Sequence, residues 1–355
     1  MYPIYYVTTE NLNKFVNRLK NDFDVFVPVA KGENFTKETD YSFKKLSGSE
    51  EACLAFNPYR AAEPLKIFFT RVQEEVAGYF EQDKPLDEGR KTIVFGVKSC
   101  DLAGHKIQDF VFLEGVEVDP LYRARRENTI FISGDCTGFK SVCHCLAWEI
   151  QPYPTERFDL NLSPLNEGCL LEVGSQRGEE LIRRYKEYFV PAKDAQVAAR
   201  KEKRESLVNR LQKHIFPQNL VAKNSVQKLM RQGYDLDTWR NFMLTCVECG
   251  GCNFICDTCH CFLLTDTAQD RGNSRLRLWD SCQYANYARV AGGANPLKMR
   301  AQRLRFRFTK KFDFFVDNLG MPACCGCGRC IEVCPGKIDL REVLKDLASK
   351  LDVKK

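Results

Sequence analysis

The first half of the chain alternates short apolar runs with segments of helical period. Residues 91–97 form an apolar, β-branched run of the kind that makes a buried strand, and residues 128–133 form a second one. Residues 102–113, which lie between them, repeat apolar positions with the period of a helix. Residues 158–173 contain two further strand-like pieces. This alternation predicts an α/β domain that spans residues 1–175.

The next segment, residues 176–244, is charged and rich in Ala, Leu and Gln, with few β-branched runs. Its pattern predicts helices over residues 195–214, 221–232 and 236–244. We interpret this segment as a solvated helical connector between two domains.

The last part of the chain, residues 245–355, holds two cysteine runs separated by long spacers with a helical pattern. These spacers favour an all-α (alpha-helical) dicluster ferredoxin domain over the compact kind built on β-ribbons. Residues 300–311 alternate basic and apolar side chains with a period of two, which is typical of a strand or extended segment with one solvated face. Residues 338–351 are amphipathic and predict a closing helix.

The cysteine content narrows the chemical class. The chain has 355 residues and 18 cysteines, but its start lacks the basic and apolar pattern of a signal peptide. No apolar stretch approaches the ~20 residues that a membrane span needs. We therefore expect a cytoplasmic protein without a membrane span, in which thiols serve metals and redox chemistry. The formal charge of +6 is mild, and part of it can offset anionic clusters.

Two cysteine runs carry the strongest chemical signal, and both have the spacing of a bacterial-type ferredoxin with two [4Fe–4S] clusters. In that pattern the fourth cysteine of each run, stiffened by a proline such as Pro335, reaches the other cluster. The predicted ligands of the first cluster are Cys246, Cys249, Cys252 and Cys334. Those of the second cluster are Cys324, Cys327, Cys330 and Cys256. Asp257 stands where the commonest pattern has proline, which we expect to loosen that turn. The alternative, a structural zinc site, normally uses two C-x2-C pairs.

Four cysteines of the N-terminal domain form a candidate third set. They lie at the ends of two predicted strands and in one loop, where open α/β sheets usually place ligands. The set comprises Cys100, Cys136, Cys143 and Cys145. Four thiolates are what a third [4Fe–4S] cluster requires, and a zinc site or buried apolar cysteines are the alternatives.

The remaining cysteines are less clearly assigned. Candidate additional ligands follow the first run closely or lie just beyond it, without an evident fourth partner; they are Cys259, Cys261 and Cys282. Cys325 does not easily ligate the same cluster as its neighbours, and Cys53 and Cys169 have the pattern of core residues. His144 and His260 flank thiolates and are expected to tune them by hydrogen bonds rather than to ligate.

Several functional classes find no support in the chain. No G-x-G-x-x-G follows a strand, and no phosphate loop or nucleophile elbow occurs, so we expect no bound FAD or NAD and assign no catalytic residue. The basic and aromatic residues of 300–311 are a weak signal for nucleic acid, and we assign no nucleic-acid partner.

Taken together, ordered motifs between residues 91 and 343 resemble a known family. The chain is similar to the iron–sulfur β subunit of hydrogenase/sulfur reductase (sulfhydrogenase) complexes and to the corresponding iron–sulfur subunit of anaerobic sulfite reductase. The motifs are Gly96-Val-Lys-Ser-Cys100-Asp101-Leu102, Asp119-Pro-Leu-Tyr122, Arg125-Arg126, Cys143-His-Cys145, Cys246 to Cys261, Trp279-Asp-Ser-Cys282 and Cys327-Gly-Arg-Cys330. Ser99, Asp257 and Cys325 depart from the family pattern.

The resemblance implies a non-catalytic electron-transfer subunit in a hetero-oligomer, and it adds support for the third cluster. Its partners would be a flavin-containing subunit that oxidises NAD(P)H and a catalytic oxidoreductase subunit. The catalytic subunit differs among relatives: a hydrogenase, a sulfite or sulfur reductase, or a heterodisulfide-reductase-like assembly. Two alternatives stay open. The chain itself could reduce disulfides or sulfur at a site-differentiated cluster, or it could be a zinc-stabilised nucleic-acid-binding module.

Overall fold

The computed structural model describes residues 3–33, 37–47, 56–78, 89–269 and 272–351; Cys53 lies outside them. The strands are β1 (Ile4–Val7), β2 (Asp24–Glu33), β3 (Thr39–Lys45), β4 (Gln73–Gly78), β5 (Thr92–Val97), β6 (Thr129–Gly134), β7 (Leu160–Leu165), β8 (Gly168–Val173), β9 (Val190–Pro191), β10 (Phe262–Gln269) and β11 (Gly272–Trp279). The α-helices are α1 (Thr9–Leu19), α2 (Ser99–Leu113), α3 (Pro120–Glu127), α4 (Gln176–Arg184), α5 (Asp194–Ile215), α6 (Val226–Gln232), α7 (Thr238–Met243), α8 (Gly251–Phe254), α9 (Arg300–Thr309), α10 (Phe315–Leu319), α11 (Arg329–Glu332) and α12 (Leu340–Lys350).

An eight-stranded sheet organises the N-terminal part, in the order β3-β2-β5-β6-β7-β8-β1-β9. The four strands β2, β5, β6 and β7 run parallel, and the outer strands pair antiparallel. The sequence prediction of a sheet with helices in this region is confirmed. Because parallel strands end at one edge of a sheet, the segments after β5 and β6 lie next to each other. That edge carries Cys100 and Cys136.

Both faces of the sheet are covered by helices. Ile93 points to a core that it shares with α1 and α4, while Val94 points to a second core formed with α2 and α3. This alternation follows from the period of two along a strand. The packing on the second face fixes the position of α2, whose first turn contains Cys100.

The predicted connector is helical, but it is not a solvated spacer. Helix α5 covers 194–215 and buries Leu207 and Leu211. Arg204 of this helix pairs with Asp135 at the end of β6, with 2.7 Å between Nε and Oδ2. Helices α6 and α7 share one hydrophobic core with α9 and α12. The segment therefore packs against both neighbouring parts of the chain.

The C-terminal part is mostly helical, but the all-α expectation is not confirmed. The spacer after the first cysteine run forms the hairpin β10–β11, and β11 pairs with β4 from the N-terminal half. Its Leu276-Arg-Leu alternation is a strand pattern that the helical interpretation missed. The predicted closing helix is confirmed as α12.

The prediction of a strand or extended segment over 300–311 is wrong. These residues form α9 and the start of a π-helical turn, Lys310–Phe314. One face of this helix is buried, since it carries apolar residues at intervals of four: Leu304, Phe308 and Phe312. Basic residues at alternate positions gave this segment a period of two, which is why its sequence predicted a strand.

Among the described residues, no helix combines the length and apolarity needed to cross a bilayer.

Candidate iron–sulfur sites

The first predicted cysteine set gathers around one cavity. Its four members Cys246, Cys249, Cys252 and Cys334 all line an empty volume of about 560 Å³. Cys334 belongs to the second run, and Cys330 of that run lines the same cavity, so the cavity brings cysteines of both runs together. Backbone N–H groups point at two of the sulfurs: Glu248 N lies 3.4 Å from Cys246 Sγ, and Ile338 N lies 3.3 Å from Cys334 Sγ. Such bonds favour charged sulfur.

The second set brings Cys256 from the first run to three cysteines of the second run. Burial, with a smaller contribution from other thiols of the set, raises the pKa of Cys324 to about 12 and that of Cys330 to about 11. Cys256 differs, since a hydrogen bond from Cys259 holds its pKa well below the usual value. Lys311 Nζ lies 3.4 Å from Cys256 Sγ and supplies a buried positive charge.

Both sets fit a [4Fe–4S] cluster by the chemistry of their donors. Thiols that burial keeps protonated become thiolates when cations compensate the charge, and iron would supply that compensation. Within the described residues, no group of three or more His, Cys, Asp or Glu side chains is arranged around a single metal ion. The thiolates of a cluster stand around four irons and their sulfides instead of one ion.

The third set lies at the carboxyl edge of the parallel strands. Burial raises the pKa of Cys136 to about 12, Cys143 contributes to that rise, and Cys136 and Cys143 both raise the pKa of Cys145. Cys100, in the first turn of α2, instead packs against Cys325 and Cys327. Burial raises the pKa of Cys100, and Cys327 and Cys136 are among the groups that add to that rise. Cys100 therefore lies near a member of its own set as well as near the second run.

The loop of the third set docks directly on the second run. His144 N donates to Gly326 O at 2.8 Å. A Cβ at Gly326 would lie 2.6 Å from Cys145 N, and a Cβ at Gly328 would lie 2.6 Å from Val142 O. Both glycines also have positive φ, +64° and +74°. Sequence reasoning overlooked this contact, although two glycines between ligands were the signal for it.

Asp257, which we expected to loosen its turn, instead forms a buried ion pair. Arg329 Nη1 lies 2.9 Å from Asp257 Oδ2 and 2.7 Å from Asp101 Oδ1, and all three side chains are 1% exposed. Burial raises the pKa of Asp257; Arg329 opposes that rise and Asp101 adds to it. The Asp101–Arg329–Asp257 triad ties α2 to both cysteine runs.

Three basic residues of α9 and the π turn lie near the cysteines. Arg303, Arg307 and Lys311 are 2%, 5% and 4% exposed, which leaves them unavailable to a nucleic-acid backbone. Arg307 lines the cavity of the first set and also a second, smaller cavity. These side chains place positive charge where anionic clusters would need it.

The candidate additional ligands line that second cavity, which has an empty volume of about 280 Å³. Cys259, Cys261 and Cys282 lie in its wall together with Lys310 and Lys311. A hydrogen bond with Cys282 lowers the pKa of Cys261 to about 5, and burial opposes that change. No further cysteine of the described chain lines this cavity.

The remaining sequence expectations concern histidines and core cysteines. His144 Nδ1 lies 2.9 Å from Val142 O, and His260 Nδ1 lies 3.2 Å from Thr258 O, so both rings bond to backbone carbonyls of their own loops. Cys169 is fully buried in the core of the sheet, as expected.

Comparison with known proteins agrees with this geometry. Residues 245–338 match a family model described as a 4Fe-4S dicluster domain. The chain is also 29% identical to sulfhydrogenase 2 subunit beta of Pyrococcus furiosus over 345 residues, which covers 97% of this chain and 98% of that protein. The resemblance to an iron–sulfur β subunit of the sulfhydrogenase type, stated from the sequence, is confirmed. The two matches support an iron–sulfur electron-transfer subunit that carries [4Fe–4S] clusters.

Proposed function

We propose that this chain relays single electrons between a flavin-containing subunit that oxidises NAD(P)H and a catalytic oxidoreductase subunit. The observation that carries the proposal is the position of Cys334, which belongs to the second run and lines one cavity with three cysteines of the first. Crossed ligand sets of this kind hold two clusters close together, as a ferredoxin needs for electron transfer.

A third cluster at Cys100, Cys136, Cys143 and Cys145 would extend the relay. The hydrogen bond between His144 and Gly326 holds the third set against the second run. Cys330 of the second set also lines the cavity of the first set. The three sets therefore follow one another as third, second and first, which supports a continuous path.

The first set lies nearest to solvent and is our candidate contact with a partner subunit. Cys249 is exposed, and apolar side chains around this set are also exposed: Leu244 (77%), Val247 (64%) and Val333 (39%). Arg300 and Lys337 add positive charge beside it. An apolar surface with a basic rim fits an acidic partner face, because opposite charge speeds association of electron-transfer partners.

The test uses the oxygen-free complex purified through a tag on this chain, and the chain alone. We expect NAD(P)H to reduce the clusters, seen by low-temperature EPR, only when the flavin-containing subunit is present. Dithionite should reduce them in both samples. Oxidation of NAD(P)H by the isolated chain, or reduction of a disulfide or of sulfur by it alone, would contradict the proposal.

A further inference from the structure

The hairpin β10–β11 brings two cysteines together that belong to neither cysteine run. Phe262 pairs with Trp279 at the open end of the hairpin, so Cys261 and the segment after β11 leave it side by side. Asp280 N donates to Cys261 O at 3.0 Å and continues the ladder. Both side chains lie in the wall of one small cavity, where Cys282 lowers the pKa of the Cys261 thiol.

Three polar side chains lie within hydrogen-bonding distance of these two sulfurs. Asn253 Nδ2 donates to Cys282 Sγ at 3.2 Å, and its side chain is 2% exposed. Gln283 Nε2 lies 3.5 Å from the same sulfur and is fixed by a bond to Arg303 O at 3.1 Å. Tyr287 Oη lies 3.6 Å from Cys261 Sγ. A purely structural thiol in an apolar core has no need of such donors.

The pairing of these thiols separates them from the other unassigned cysteines. Cys259 bonds to Cys256 and Cys325 bonds to Cys327, and in each case the partner is a predicted cluster ligand. Cys261 and Cys282 bond to each other. Ligands of a cluster are held apart by its iron and sulfide atoms, whereas a disulfide needs its two sulfurs adjacent. Two neighbouring thiols in the wall of one small cavity, on segments that leave a hairpin side by side, favour disulfide chemistry.

The pair also lies within reach of the second cluster set. Its cavity wall includes Lys311, whose ammonium is 3.4 Å from Cys256 Sγ. Asn253 also connects the pair to this set, because the amide nitrogen that donates to Cys282 lies 3.7 Å from Cys259 Sγ. Cys259 in turn bonds to Cys256. One packed layer of side chains therefore separates the pair from a ligand of the second cluster.

We propose that Cys261 and Cys282 form a redox-active dithiol that exchanges two electrons with the second [4Fe–4S] cluster; this inference rests on the proposed relay function. In the reductive direction, two electrons would reach the disulfide one at a time through the second cluster, which the flavin-containing partner re-reduces after the first step. The S–S bond breaks, and each sulfur takes one proton from solvent. In the oxidative direction the bond forms and both electrons and both protons leave. The pair would let a one-electron relay store electrons two at a time.

The experiment poises the oxygen-free, cluster-containing full chain at a series of potentials with redox mediators. Acid quenching, alkylation and peptide mass spectrometry then read the state of each cysteine. We expect a peptide pair linked through Cys261 and Cys282 at high potential, and the same peptides doubly alkylated at low potential, with a two-electron dependence. Absence of the linked pair at every potential, in samples whose EPR shows intact clusters, would overturn the proposal.

Variants separate the dithiol from a cluster-ligand role. Cys261→Ser and Cys282→Ser should keep the iron content of the wild type, and each should accept about two electrons fewer per chain in a reductive titration. Cys169→Ala, a buried cysteine of the distant sheet core, is the control and should change neither number. A loss of about four irons in either serine variant but not in the control would show ligation and overturn the proposal. Missing cluster signals in the wild type would instead count against the relay itself.

Discussion

At the residue scale, buried positive charge is concentrated beside the cysteine sets. Burial works to lower the pKa of Arg329, and the carboxylates of Asp101 and Asp257 overcome it and hold the pKa above its usual value. Burial likewise opposes protonation of Lys311, but Cys256 and Cys259 hold the pKa of this ammonium above its usual value. Buried ions of this kind are stable only where opposite charges and hydrogen bonds offset the free energy of their desolvation.

Replacing Arg329 tests whether the triad joins the two halves of the site. Arg329→Met removes the ion-pair partner that two buried carboxylates share, so we expect a loss of roughly 3–5 kcal/mol in the free energy of unfolding. Arg231→Met is the control, because that side chain is 54% exposed and its ion pairs are worth no more than about 1 kcal/mol. Denaturant unfolding of oxygen-free protein measures both, and equal losses would contradict a role for the triad.

Replacing Lys311 tests the electrostatic tuning of the second cluster. A positive charge next to a cluster stabilises its reduced, more negative state, so Lys311→Met should lower the reduction potential, by an amount on the order of 100 mV. Lys345→Met, the control, removes a lysine from α12 that pairs with Glu342 instead. EPR-monitored redox titration of both variants measures the shift. An unchanged potential in Lys311→Met would argue that Cys256 does not ligate the cluster.

At the element scale, the spacing of the cysteines indicated iron–sulfur chemistry more clearly than the hydrophobic pattern indicated the helices and strands around them. The strands at 91–97 and 128–133 were predictable because a buried parallel strand is a continuous apolar run. The helix at 300–309 was not, since its basic residues are buried against cysteines instead of facing solvent. The hairpin at 262–279 was also missed, although residues 276–278 alternate as a strand does. Its pairing with β4 could not be predicted from local spacing, because β4 lies far away in the sequence.

Gly326 offers the sharpest test of how the second run docks on the loop of the third set. Gly326→Ala would place a Cβ 2.6 Å from Cys145 N, in addition to the cost of its positive φ. We expect lower stability and loss of about four irons per chain, those of the third cluster. Gly320→Ala is the matched control, because its φ is +70° and nothing lies within 4 Å of the added Cβ. This control should lose about 1 kcal/mol in the free energy of unfolding and retain all its iron, as measured by denaturant unfolding and iron analysis.

At the scale of the whole molecule, the α/β part and the cluster-binding part form one site. Cysteine spacing predicted a two-cluster iron–sulfur domain, which the family match at residues 245–338 supports, because a ligand run is a local feature of the chain. The contact between residues 142–145 and 326–328 depends on packing between distant segments, and the two glycines between ligands indicate a close approach there without naming the partner segment. The N-terminal domain thereby supplies a third set of thiols in line with the other two.

The crossing itself makes a prediction about a single ligand. Cys334→Ala lies in the second run, yet it should remove the first cluster, whose other ligands are some eighty residues upstream in the sequence. We expect a loss of about four irons, with the second cluster still visible by EPR. If that variant lost the second cluster and kept the first, each run would bind its own cluster.

The most direct measurement is iron, zinc and acid-labile sulfide per chain on oxygen-free protein, with EPR after reduction by dithionite. The account predicts about twelve irons and about twelve sulfides, with signals from reduced [4Fe–4S] clusters that interact with one another. Zinc bound in stoichiometric amount, without sulfide and without a reduced-cluster signal, would contradict the relay and return the cysteines to a structural role.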